Sequence, residues 1–149
     1  MGDGKALVRD YLREVFSEGR LDRIPVYLRG EKFTAGVVEL VTAWRTAFSD
    51  FHEEVRHVYA DGDQVIVVSE LSGTHDGVLD STIGPIAPTG RSARWPRIAV
   101  RRLEGDRFVE GSFVEDELGL LNQLGVFGQP EGRDKSRHSP LATPPERSP

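Results

Sequence analysis

The sequence of 149 residues contains no cysteine. Disulfides, thiolate nucleophiles and cysteine metal sites are therefore excluded, and a cytoplasmic setting is the simplest expectation. No apolar run approaches the roughly 18 residues of a membrane-crossing helix. The opening Met1-Gly2-Asp3-Gly4-Lys5 leads straight into an amphipathic pattern, without the apolar stretch of a secretory signal. Lysine is scarce: Lys5, Lys32 and Lys135 all lie outside the expected core, whereas a Schiff-base lysine must be desolvated. Basic charge is short as well. A net charge of -5 with no basic stripe lacks the electrostatic footprint of a nucleic-acid partner.

Histidine spacing excludes the common metal motifs. His52, His57, His75 and His138 form neither a two-histidine helix pair nor a His-x-His pair. His52 and Glu54 share a strand face, which reads as solvated edge rather than as a metal site. There is no Gly-x-Ser-x-Gly elbow and no phosphate-cradling loop. No metal and no cofactor is implied, and acid/base chemistry on a small molecule remains.

What is present suits one domain over residues 1–128, since 38% hydrophobic content supports a single core. From Gln129 onward the composition turns to Pro, Ser and Arg, and residues 129–149 read as a disordered tail. The first helix is expected over Lys5–Ser17, with Leu7, Val8, Tyr11, Leu12, Val15 and Phe16 on one stripe and Gly19 ending it. A helical turn follows near Leu21–Leu28, with Pro25 in its first turn. A third helix is expected from about Gly36 to Phe48.

After Asp50 the period becomes alternating, and Phe51, Glu53, Val55, His57 and Tyr59 fall on one face. Ala60-Asp61-Gly62-Asp63 reads as a hairpin turn into Val65-Ile66-Val67-Val68, apolar on both sides. An irregular segment spans Gly77–Gly90, then strands over Ser92–Leu103 and Phe108–Glu115 join at Glu104-Gly105-Asp106. Helices, an antiparallel meander and a closing helix make an α+β fold, with helices packed on one face of a curved sheet.

Asp116 stands where the last strand ends and the run Glu117-Leu118-Gly119-Leu120-Leu121 begins. It is either a helix N-cap or a partly desolvated acid/base. Alternation groups it with Glu110, Ser112 and Val114. His75, at the end of a strand, is a loop histidine bonded to backbone or a group that orients a substrate carbonyl. Trp44, Trp95, Tyr11 and Tyr59 serve as core or as pocket wall. Arg45 and Arg97 read as surface charges unless they turn inward, where either could hold an enolate oxygen.

These residues carry a resemblance. Val8-Arg9-Asp10-Tyr11-Leu12 with Phe16 and Gly19, Trp44 through Asp50, Asp61-Gly62-Asp63-Gln64-Val65, Gly73 through Gly77, Ala87-Pro88-Thr89-Gly90 and Asp116 through Gly125 stand in an order similar to that of the SnoaL-like polyketide cyclases, of the nuclear transport factor 2-like superfamily. The resemblance implies a cone of helices over a strongly curved antiparallel sheet around an apolar pocket. It implies cofactor-free intramolecular aldol closure of an aromatic polyketide ester, with Asp116 at the acid/base position; His75, read from its place at the strand end, is the second catalytic candidate. It leaves Tyr11, Trp44, Phe51, Trp95 and Arg97 as substrate-binding candidates, and a homodimer or higher homo-oligomer as the expected assembly. Many relatives carry His-Trp where this chain has Gly111-Ser112, and the segment Arg29–Thr34 is shorter here. Some members act in ring hydroxylation, and a non-catalytic small-molecule binder would share the same cone.

Overall fold

The Asp3 carboxylate accepts a hydrogen bond from the Lys5 backbone N–H and so caps the first helix, α1 (Gly4–Tyr11). The coordinates are a computed structural model that describes residues 3–128. The expected tail falls outside the described residues. The helix runs on through a π-helical turn, Leu12–Ser17, and buries the expected stripe of Val8, Tyr11, Leu12, Val15 and Phe16. Gly19, at φ +70°, turns the chain out of it. A 3-10 turn (Leu21–Arg23) and the short α2 (Ile24–Tyr27) follow, with Pro25 tolerated at the helix start.

The long helix α3 covers Glu31–Ala47 and so begins about one and a half turns before Gly36. Gly36 has open space around it and sits within the helix, so it does not act as a breaker. The start is set instead by Gly30, whose φ of +103° turns the chain into the helix. Val37, Val41, Trp44 and Ala47 form its buried face.

Strand β1 (His52–Asp61) pairs antiparallel with β2 (Gln64–Thr74) across Gly62, as expected. Its alternation does not persist. A bulge between Val55 and His57 shifts the register, so Val58 packs against the core while Tyr59 is exposed. Within the segment expected to be irregular, β3 (Leu79–Ser81) and β4 (Gly84–Ile86) form a hairpin too short for a period to show. Strands β5 (Ser92–Glu104) and β6 (Arg107–Glu115) complete a main sheet in the order β1-β2-β5-β6. The closing helix α4 spans Glu117–Gln123.

Helices lie over one face of this bent sheet, which gives the α+β architecture read from the sequence. The register decides what faces them. Arg97 on β5 stands opposite Ser69 on β2 and Glu115 on β6, while Arg101 stands opposite Gly111. Trp95, Arg97, Ala99 and Arg101 are buried, so this parity of β5 points inward and carries two arginines into the cone.

Candidate functional site

Two cavities open between α3 and β6. The first, of about 250 Å³, is walled by Tyr11, Phe16, Phe33, Val37 and Phe113, with Arg101 and Lys32 as its cations. The second, of about 180 Å³, lies under Trp44 and receives Glu115 and Glu117. Leu40 lines both, so the two hollows adjoin along the helix as a trough divided by that side chain.

Between the two ends sits Arg97, whose side chain is 0% exposed. Its Nη1 donates to Glu53 Oε1 at 3.0 Å, and its Nε to Glu115 Oε2 at 3.4 Å. Ser69 donates to the other Glu53 oxygen at 2.9 Å. The guanidinium lies 4.7 Å from the Phe113 ring centroid and 5.4 Å from that of Phe16. The surface reading of Arg97 is therefore corrected: strand parity drives it inward, and Glu53 makes the burial tolerable. Arg45 is half-buried. Its Nη1 donates to the carbonyls of Phe16, Ser17 and Phe51, stapling the end of the first helix to β1 rather than holding a ligand.

Glu115 is the second carboxylate of this cluster, and burial raises its pKa above the usual carboxylate value, with Arg97 pulling the other way. Glu53 makes the closer contact with the guanidinium, at 3.0 Å against 3.4 Å, so the pull of burial on Glu115 is only partly offset. The indole of Trp95 lies beside it without a well-formed hydrogen bond. A protonatable carboxyl under an aromatic wall can take a proton from carbon and return it to oxygen.

Asp116 takes the other role open to it. Its Oδ1 accepts from the Gly119 N–H at 2.8 Å, which makes it the N-cap of α4. Gly119 is required there, because a Cβ would stand 2.2 Å from Asp116 Oδ2. Asp116 is half-buried and lines neither cavity. The strand face grouped with it points outward: Val114 is 69% exposed. The inward parity of β6 is Gly111, Phe113 and Glu115, opposite Arg101, Ala99 and Arg97.

His75 is fully buried. Its Nδ1 accepts from the Thr89 N–H at 3.2 Å and lies 3.0 Å from the Thr89 hydroxyl. Accepting that N–H requires a bare Nδ1, so the proton sits on Nε2. Burial lowers the imidazole pKa, and the neutral ring, packed on Phe48, closes the segment 75–91 through Thr89 while the His75 backbone pairs with Gly90 and Arg91. It lines neither cavity.

Of the aromatic candidates, Tyr11 walls the first cavity and Trp44 the second. Burial pushes the Tyr11 phenol up to about 12, so it stays protonated. Trp95 and Phe51 pack against Trp44, with ring centroids 5.3 and 5.9 Å from it, as a buried support behind the wall. Sequence reasoning did not single out Glu53, Glu115 or Arg101 as site residues. The signal for the last two was their parity with Phe113 and Trp95.

The fold and the trough define a small α+β cone with an internal cleft, and comparison assigns its class. The family model for SnoaL-like polyketide cyclases matches residues 6–124, and the chain belongs to that family. A candidate polyketide cyclase from Acidithiobacillus ferrooxidans is 25% identical, with a TM-score of 0.70 over 83% of this chain and 97% of that one. TsrD from Streptomyces laurentii is 20% identical, with a TM-score of 0.70 over 84% and 98% of the two chains. AclR from Streptomyces galilaeus, a candidate hydroxylase, is 24% identical, with a TM-score of 0.67 over 82% of this chain and 80% of that one. No curated protein matches the chain.

Proposed function

We propose that this protein is a cofactor-free polyketide cyclase that closes a ring of an aromatic polyketide ester by intramolecular aldol addition. Membership of the SnoaL-like family supports the reaction class. The observation that carries the mechanism is the largely buried Glu115 carboxyl at the second cavity, its side chain 11% exposed, with its raised pKa and its arginine neighbour. Carbon between two carbonyls is already acidic, so one positioned carboxylate suffices to remove its proton. The same group, now protonated, donates to the carbonyl oxygen that becomes the alcohol. The trough along α3 holds the chain folded and brings the reacting carbons together. Asp116 fixes the corner between β6 and α4 and thereby aims Glu115; it is a positioning residue in this reading. His75 acts at one remove, through the segment it closes.

Turnover of a tricyclic polyketide methyl ester by the pure protein, without added cofactor and with or without oxygen, tests this. Ring closure independent of oxygen is the expected result. Product formed only in oxygen would overturn it in favour of ring hydroxylation. Ligand binding with no turnover of any candidate would favour a binder.

The assembly we propose is a homodimer through the outer sheet face. Tyr59, Ile98 and Val114 are 54, 43 and 69% exposed, and they present apolar surface away from the cone. Sedimentation equilibrium showing monomer alone would remove this.

A further inference from the structure

Arg101 has no place in the chemistry above. It is 6% exposed, it lines the first cavity, and its Nη1 is buried without a hydrogen-bond partner. Its guanidinium carbon lies 5.4 Å from the centroid of the Tyr11 ring, and the phenol stands beside it as a neutral polar neighbour. Tyr11 cannot balance the charge, because its phenol is held at about 12. The other cation at the cavity is the exposed Lys32, and no carboxylate lines it. A buried guanidinium without a counter-charge is costly, and chains pair such groups internally unless something else supplies the anion. Glu53 is committed to Arg97 and Ser69.

Gly111 makes the room. Opposite Arg101 across the strand pair, it carries no side chain, and a Cβ there would stand 3.2 Å from Arg101 Cγ. The neighbouring walls are flat and apolar, from Phe33, Phe113 and Phe16.

We propose that Arg101 makes the first cavity a receptor for an oxyanion on a planar apolar skeleton, an aromatic carboxylate or ionised phenol. The inference rests on the cyclase reading only in placing the substrate. It assigns the end of the molecule that carries negative charge to Arg101, and the reacting carbons to the Glu115 end. A guanidinium fork matches a carboxylate with two parallel hydrogen bonds and a phenolate with one, each charge-assisted and little screened in a buried site.

The test is calorimetric titration of the full chain with four non-reacting probes. These are 2-naphthoate and its methyl ester, then 2,4-dinitro-1-naphtholate and its methyl ether. The proposal expects at least one anion to bind about tenfold or more tightly than its neutral counterpart, the advantage of one charge-assisted contact. Which pair shows the difference separates carboxylate from phenolate. Arg101→Met should abolish the preference, Arg101→Lys should keep part of it, and Lys32→Met should leave most of it. Neutral probes that bind as tightly as the anions would overturn the proposal, as would a preference that survives Arg101→Met. Should Arg101→Met not fold, Lys32→Met decides: a preference kept there supports the proposal, and one lost there overturns it. The probes undergo no ring closure, so failure here leaves the cyclase reading standing, and failure of turnover leaves this one standing.

Discussion

Arg97 and Arg101 lie four residues apart on β5, on the same inward face, and are both buried. One has two carboxylates within reach; the other has none among the described residues. Identical side chains on one strand thus do different work. The paired arginine belongs to the fold and tunes an acid beside it. The unpaired one leaves a charge unanswered where a ligand can answer it. Burial alone does not identify a binding residue; the state of its counter-charge does.

The sharpest way to break this comparison is to remove each arginine in turn. Arg97→Met strands the fully buried Glu53 carboxylate, and urea denaturation should show a loss of about 3–5 kcal/mol, the usual cost of orphaning one half of a buried pair. Arg101→Met strands no carboxylate, only the neutral Tyr11 phenol beside it, and should change stability by less than about 1 kcal/mol, since an apolar isostere then replaces an uncompensated charge. Equal losses would show that Arg101 has a structural partner of its own. Next in size is the corner that aims Glu115. Gly119→Ala puts a methyl against the Asp116 carboxylate, and losing that cap should cost about 1 kcal/mol in thermal or chemical denaturation.

Two pH effects are smaller and opposite in sign. Glu115 has a raised folded pKa, so the folded state holds its proton longer than the unfolded chain does. Its contribution is present at low pH and is lost as pH rises from the usual glutamate value through the raised one. Glu115→Gln should flatten that fall in stability across the window. His75 has a lowered folded pKa, so the unfolded chain binds the proton first. Stability should therefore fall as pH drops from the usual histidine value toward the lowered one, and hydrogen exchange should show the segment 75–91 opening first.

Much of the fold was legible in the sequence. The stripe from Leu7 to Phe16, the turn at Gly62 and the shift from helical to alternating period each follow from local chemistry, and each appears. The start of α3 lies earlier than the expected Gly36, at Glu31, because Gly30 is the glycine whose positive φ turns the chain into the helix. The bulge after Val55 was invisible, because a single extra residue leaves the composition of β1 unchanged.

The site was harder to read. Neither face of β6 is plainly apolar: one carries Gly111, Phe113 and Glu115, the other Ser112, Val114 and Asp116. Parity therefore had to come from β5, where Trp95 and Ala99 fix the inner side. Arg97 and Glu53 are 44 residues apart, and no local pattern announces such a pair. Both the junction of strand and helix and the family resemblance point to Asp116, one residue from the carboxyl that lines the cavity.

That single-residue distinction is the central claim, and ring-closure rates of Glu115→Gln and Asp116→Asn measured side by side test it most directly. Asparagine caps a helix about as well as aspartate, so Asp116→Asn should keep both the corner and most of the rate. Glu115→Gln should lose about 100-fold or more, the usual contribution of a general acid/base. The reverse result, collapse in Asp116→Asn with Glu115→Gln active, would contradict the account and make Asp116 the acid/base itself.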